Sequence, residues 1–280
     1  MKKLEIIALA LFMQTAFAQA NRFVYQVTMK PDASNKNDVK TENAYLDISA
    51  EKSLFYSENR VKRDSIMQKA FQGGGGRGSI NRDQMESLRS NINYSVEKDK
   101  GNQKTIYKDR LGRDIYVYEE DRPINWKISS ETTKIGDYKV QKAETNFGGR
   151  KWTVWFTTDL PYQDGPYKFS GLPGLIVKAE DDKGDYSFDL MKNYKIAEIP
   201  ALNQFGNVIK VKRTDFVKQQ EKFKTDPMSF MNQGGGGPNA PMRIGGGGGG
   251  GNQNPGDMRK RMEERVKDEA KRNSNPIELQ

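Results

Sequence analysis

The sequence predicts a mainly β protein: one strongly curved antiparallel sheet or open half barrel, with a few short helices and a Gly-rich C-terminal tail ending in a helix. Three observations carry this expectation. Short segments that alternate large apolar or aromatic residues with polar ones recur along the chain, the period of a strand with one face on a core. Brief turns rich in Gly and Asp separate them, and such short connections favour antiparallel neighbours. No strand-helix-strand rhythm supports a parallel nucleotide-binding sheet.

The elements follow in order. Residues 23–29 alternate around Phe23, Tyr25 and Val27 and form a first strand. After a polar loop over 31–41, residues 45–48 and 54–57 read as a hairpin around 49–52. Over 58–71 the spacing of Val61, Ile66, Met67 and Ala70 fits a helix that ends at the glycines 73–76. Residues 79–90 fit another, with Ile80, Met85 and Leu88 inward. Segments 105–108 and 115–118 flank a turn over 109–113, and 126–128, 138–143 and 152–157 continue the meander across Gly136-Asp137 and Gly148-Gly149. Strands at 175–179 and 186–190 flank Asp181-Asp182-Lys183-Gly184, a tight turn with Gly placed for positive φ, and 208–211 is a late strand.

The two ends of the chain differ from this middle. Lys2 and Lys3 precede an apolar run over 4–17 and the small-residue pattern Ala16-Phe17-Ala18, the layout of a secretory signal cut after Ala18 or Ala20. No Cys follows the run, so a lipid anchor is not expected, and no other segment approaches the roughly 20 apolar residues of a membrane span. The expected division is a signal over 1–18, a β domain over 19–225, a Gly-rich linker over 226–256 and a helix with a docking tail over 257–280. In that last part Asp257 caps a helix with Met258, Met262, Val266 and Ala270 on one stripe, and the apolar ending Asn275-Pro276-Ile277-Glu278-Leu279 is expected to dock on the sheet.

Composition narrows the function. With no Cys and no His among 280 residues, disulfides, thiolate nucleophiles, the usual zinc ligands and every Ser-His-Asp arrangement are absent. The net charge of +9 is spread among interleaved acids, which reads as a soluble surface and not as a nucleic-acid footprint. The Gly runs lack the Lys-Ser/Thr context of a phosphate cradle. No cofactor and no metal site are expected, although the tail methionines Met228, Met231, Met242, Met258 and Met262 are of the soft-ligand type.

The most unusual stretch is Gly165-Pro166-Tyr167-Lys168-Phe169-Ser170-Gly171-Leu172-Pro173-Gly174-Leu175-Ile176. Pro173 and Gly174 fit the second and third positions of a type II turn over 172–175, with Gly174 at positive φ and Leu172, Leu175 and Ile176 pinning it to the core. With Trp126-Lys127-Ile128, Gln141-Lys142-Ala143, Gly149-Arg150 and Trp155-Phe156-Thr157, this stretch resembles the GLPGLI family, exported proteins of Bacteroidota-type bacteria. The resemblance implies an envelope location, periplasmic or extracellular, and no settled reaction.

Other candidates stand beside plainer readings. Glu180, Asp181, Asp182 and Asp185 form the tightest acidic group and could serve glycosidic chemistry or Ca²⁺, but a hairpin turn marks them as a solvated loop. Asp159 and Asp164 are weaker loop carboxylates. Trp126, Trp155, Tyr167 and Phe169 are candidate ligand-binding aromatics for an apolar molecule in the concave face. Trp152 and Trp155 have opposite strand parity, so they serve different faces. The expected function is therefore a non-enzymatic envelope carrier or accessory with an apolar ligand. The alternatives are an interaction protein that meets an outer-membrane transporter through its tail and, third, a carboxylate-dependent hydrolase.

Overall fold

The structure is a computed structural model that describes residues 19–73, 80–202, 206–226, 229–230 and 274–279, with the isolated positions 260 and 264. The expected signal over 1–18, most of the Gly-rich tracts and nearly all of the helix expected after Asp257 lie outside the described residues. Among them, no helix is long and apolar enough to cross a membrane.

One twelve-stranded sheet dominates. Its strands are β1 (Ala20–Met29), β2 (Lys40–Ile48), β3 (Lys52–Ser57), β4 (Ser95–Asp99), β5 (Lys104–Leu111), β6 (Asp114–Glu119), β7 (Lys127–Ile135), β8 (Tyr138–Phe147), β9 (Arg150–Thr157), β10 (Leu175–Asp181), β11 (Tyr186–Ile196) and β12 (Val208–Lys210). They lie in the order β12-β6-β5-β4-β3-β2-β1-β11-β10-β9-β8-β7, unclosed. Every pairing is antiparallel except that of β12, which joins β6 in parallel. Helices α1 (Glu58–Gln72), α2 (Arg82–Ser87) and α3 (Arg213–Thr225) complete the described elements.

Connectivity forces the sheet to curl. β6 is second in the order and β7 twelfth, ten inter-strand steps or about 48 Å along a flat sheet. Yet only residues 120–126 join them, eight Cα steps that reach about 27 Å at most. The far edges must therefore approach each other, which makes the expected half barrel.

The hollow is not empty. Alternate residues of the strands, among them Phe23, Tyr25, Leu46, Phe55, Val96, Trp152, Val154 and Phe188, form one buried cluster with Tyr167, Phe169 and Leu172 of the β9–β10 loop. The Phe169 ring lies 4.9 Å from that of Trp152 and 5.9 Å from Tyr167, and Tyr167 lies 5.4 Å from Tyr94. Side chains from opposite arms of the sheet meet through this loop, so residues 158–174 plug the concave face. The outer face carries a smaller cluster of Val24, Tyr45, Leu54 and Tyr56, covered in part by Val61 of α1.

Several expectations change. β4 escapes the alternation test because one of its inward positions is Lys98, buried where an apolar residue would be expected. α3 is also unanticipated, since Phe216 is its one buried residue; the ring packs 5.1 Å from Tyr118 and 5.6 Å from Tyr107. Residues 109–111, expected in a turn, belong to β5, and the turn is the Gly112-Arg113 pair with Gly112 at φ 65°. The second helix shortens to six residues, capped by Asn81 accepting from the N–H groups of Asp83 and Gln84.

The hexapeptide turn differs as well. Gly174 is not at positive φ; Gly171 is, at 91°. The N–H of Gly174 donates to the Leu172 carbonyl at 2.8 Å, closing a three-residue γ-turn about Pro173 in place of a type II turn. Gly174 is needed for another reason, because a Cβ there would lie 2.0 Å from the Thr157 carbonyl oxygen.

Candidate functional site

Three buried charge groups surround the plug, and two of them hold the chain's last described segment. The β8–β9 hairpin turns on Gly148 and Gly149, both at positive φ (62° and 77°), so Phe147 and Arg150 pair across a two-residue loop. Arg150 thereby enters β9 pointing into the molecule, its side chain fully buried. The turn after β10, with Gly184 at φ 62°, brings Asp181 and Asp185 to it. Nη1 of Arg150 donates to Asp181 at 2.6 Å and to Asp185 at 3.2 Å. The other Asp181 oxygen accepts the N–H groups of Asp185 and Tyr186.

The acidic turn is thus solvated at its tip, residues 182–184, but not at its two ends. Asp181 and Asp185 are each 3% exposed, whereas Asp182 is exposed and Glu180 half-buried. Burial disfavours charge on Asp185, but hydrogen bonds from Lys36, Asn275 and Arg150 prevail and hold its carboxyl down at about 2. The pair neutralises a guanidinium and does not present two free carboxylates to a substrate. Asp164 is corrected likewise. It is buried, accepts from Lys98 Nζ at 2.6 Å, and the same ammonium donates to the carbonyls of Gly165 and Phe169 at 2.8 Å. This group fastens the plug to β4, and burial lowers the affinity of Lys98 for its proton although Asp164 opposes the shift.

Lys168 lies at the centre of the second group. It sits in the plug with no exposed side-chain surface, among the rings of Tyr107, Tyr118 and Tyr167, 4.7–5.2 Å from their centroids. Its ammonium donates to Tyr118 Oη at 2.7 Å, to Glu120 at 2.6 Å and to Glu278. Arg122 bridges the same two acids, 2.7 and 2.8 Å from the Glu120 oxygens and 2.7 Å from Glu278. At Glu120 burial opposes ionisation, yet hydrogen bonds from Arg122 and the charge of Lys168 outweigh it and hold the carboxyl at about 2. Burial pushes the Tyr167 hydroxyl well above its usual range, so it stays protonated and donates to Glu278.

Residues 274–279 lie in a slot between these two groups. Asn275 donates its N–H to the Pro31 carbonyl at 2.7 Å and its carboxamide N–H to the Lys30 carbonyl at 2.8 Å. Arg150 donates to the Asn275 side-chain oxygen at 2.7 Å and to the carbonyls of Pro276 at 2.8 Å and Ile277 at 3.0 Å. The Tyr186 hydroxyl donates to the Asn275 carbonyl at 2.7 Å, and the Leu279 N–H to the Gly148 carbonyl at 2.7 Å. A Cβ on Gly148 would stand 2.8 Å from Glu278 Cγ, so glycine there lets the segment approach. A cleft of about 420 Å³ opens alongside, with Arg122, Phe147, Gly148, Lys151 and Arg213 among its walls.

The aromatic candidates divide. Tyr167 and Phe169 are 1% and 0% exposed within the plug, and Trp126 is half-buried against the core, its indole N–H donating to the Ser170 carbonyl at 2.8 Å. Trp155 is half-buried on the outer face, opposite to buried Trp152 as parity requires, with Lys142 6.0 Å from its ring. The structure does not bring these four to one open surface. Among the hexapeptide and its lead-in, Leu172, Leu175 and Ile176 are buried and Gly165 packs on Ile176. The candidates that sequence reasoning missed are Arg150, Lys168, Glu120 and Arg122. Their signal was faint: Arg150 and Lys168 lie close to aromatic and apolar residues, whereas Glu120 and Arg122 are hidden in the charged run 119–122.

The sequence model of a family described as a protein of unknown function (Porph_ging) matches residues 148–178. The match takes in Gly148, Arg150, the plug with Lys168, and the hexapeptide. No curated protein matches the chain. Among solved structures, PNGF-II in its P21 and C2 crystal forms aligns with TM-scores of 0.53 and 0.52 at 18% identity, over 74% of this chain and 34% of that one. This likeness shows a shared fold, and the chain spans about a third of the length of those structures. A domain described as an outer membrane lipoprotein-sorting protein, from Vibrio parahaemolyticus, aligns over 78% of this chain and 97% of its own, at 9% identity. Its TM-score of 0.27 is too low to carry an argument.

Proposed function

We propose that the chain is an exported, non-enzymatic protein of the cell envelope, a GLPGLI-type carrier or accessory that acts by holding another molecule. One observation carries the reading: the most fully built site among the described residues is a slot that grips an extended segment through side chains and backbone together. The chemistry supports it, because neither His nor Cys is present and the carboxylates at the slot are each committed to a cation. The signal-like start of the sequence and the hexapeptide with its lead-in support the address and the family.

An apolar ligand at Trp126, Tyr167 and Phe169 would have to displace residues 158–174, since these rings fill the hollow. With the plug closed, titration of the full chain with an apolar fluorescent probe gives no saturable site; saturation would mean that the plug opens. The binding reading itself is tested by native mass spectrometry of the protein purified without detergent from its own compartment. A discrete added mass is the expected result. A clean mass of the chain alone, together with turnover in a hydrolase screen, would overturn the reading.

A further inference from the structure

We propose that the slot is a receptor for extended segments of the type Asn-Pro-x-Glu, and that residues 275–279 are a resident ligand which the same segment of a second copy can replace. This rests on reading the chain as a binding protein and names its ligand class.

The walls of the slot do not need the segment to hold their shape. Arg150 is oriented by Asp181 and Asp185, Lys168 by Tyr118 and Glu120, and Arg122 by Glu120, all on the sheet, its turns or the plug. The occupant is read one residue at a time. At the first position a carboxamide is required, because its oxygen accepts from Arg150 while its N–H donates to the Lys30 carbonyl; a carboxylate would face that carbonyl without a proton to give. At the second, Pro lacks an N–H and the slot asks only for its carbonyl. The third, Ile277, gives its carbonyl to Arg150 and packs on the core.

The fourth position is set by charge. Around it Lys168 and Arg122 of the scaffold each meet Glu278 of the segment as well as Glu120. A vacated slot takes from the buried Lys168 ammonium one of its two carboxylate partners, a loss that an incoming carboxylate reverses. The recognition is that of a linear peptide held by main-chain hydrogen bonds with pockets for selected side chains.

Chain length permits exchange. Residues 231–273 separate Phe230, which sits against Gly112, from Ser274 at the slot. Forty-three residues can extend to about 140 Å, ample to reach the slot of a second copy.

The test uses the full chain carrying Asn275→Ala and Glu278→Ala, titrated with the fluorescein-labelled peptide Asn-Ser-Asn-Pro-Ile-Glu-Leu-Gln and followed by anisotropy. The vacated slot should bind it saturably, at least about tenfold more tightly than the wild-type chain, whose tethered segment competes. A peptide with Gln in place of Glu should lose at least about tenfold. Absence of binding to the folded double variant, or equal binding of the Gln peptide, overturns the proposal. If the double variant does not fold, the wild-type chain with a protease site in place of residues 245–251 is folded and then cut. Labelled peptide should replace the freed segment, and retention without exchange overturns the proposal. The native mass spectrum asks for any ligand and the titration for this one, so either can fail while the other succeeds.

Discussion

Gly171 and Gly174 stand three residues apart in one motif and are glycine for different reasons. Gly171 adopts φ 91° with nothing within 4 Å of an added Cβ, whereas Gly174 would drive a Cβ into the Thr157 backbone. Gly171→Ala should therefore cost about 1–2 kcal/mol, the left-handed penalty alone. Gly174→Ala should cost more, about 3 kcal/mol, because strand β9 must shift to admit it. Urea midpoints of the two variants check the ranking, and a reversed order would show that the plug is not seated as described. At this scale the sequence marks which residues are unusual but not why. The acidic cluster at 180–185 was visible; its partner Arg150 lies some thirty positions earlier, and nothing in local spacing joins them.

Strands with an apolar face were legible element by element, from β1 and β2 through β9 and β10. The elements that escaped are those whose inward positions are polar or few. β4 turns Lys98 inward to meet Asp164, and α3 rests on a single buried ring, so neither shows its period. Position in the sheet then sets local stability. β7 is an edge strand with no buried residue, paired only to β8, whereas β1 is buried along most of its length and paired on both sides. In native-state hydrogen exchange the amides of β7 should exchange through local opening, while the central amides of β1 should approach the protection of global unfolding. Equal protection in the two strands would contradict the open edge.

Across the whole molecule, burial of charge couples stability to pH. Glu120 and Asp185 are held at about 2 in the folded chain, below the ordinary carboxylate values of about 4 that they regain on unfolding. A carboxyl depressed by folding stabilises above its unfolded value and loses that contribution as pH falls through the folded one. Stability should thus be level in these two groups above about pH 5 and fall between about 4 and 2, which thermal melts across that range would detect; a flat profile would deny the ion pairs. The sequence by itself determined the fold class, the order of most strands, the motif and the absence of His and Cys, because alternation, turn chemistry and composition are local properties. Only the tertiary structure decided that the hollow of the sheet is filled by the motif's own loop, and that the Asn-Pro-Ile-Glu segment sits among Arg150, Lys168 and Arg122. Those facts depend on how far the sheet curls and on which distant charges then meet out of water.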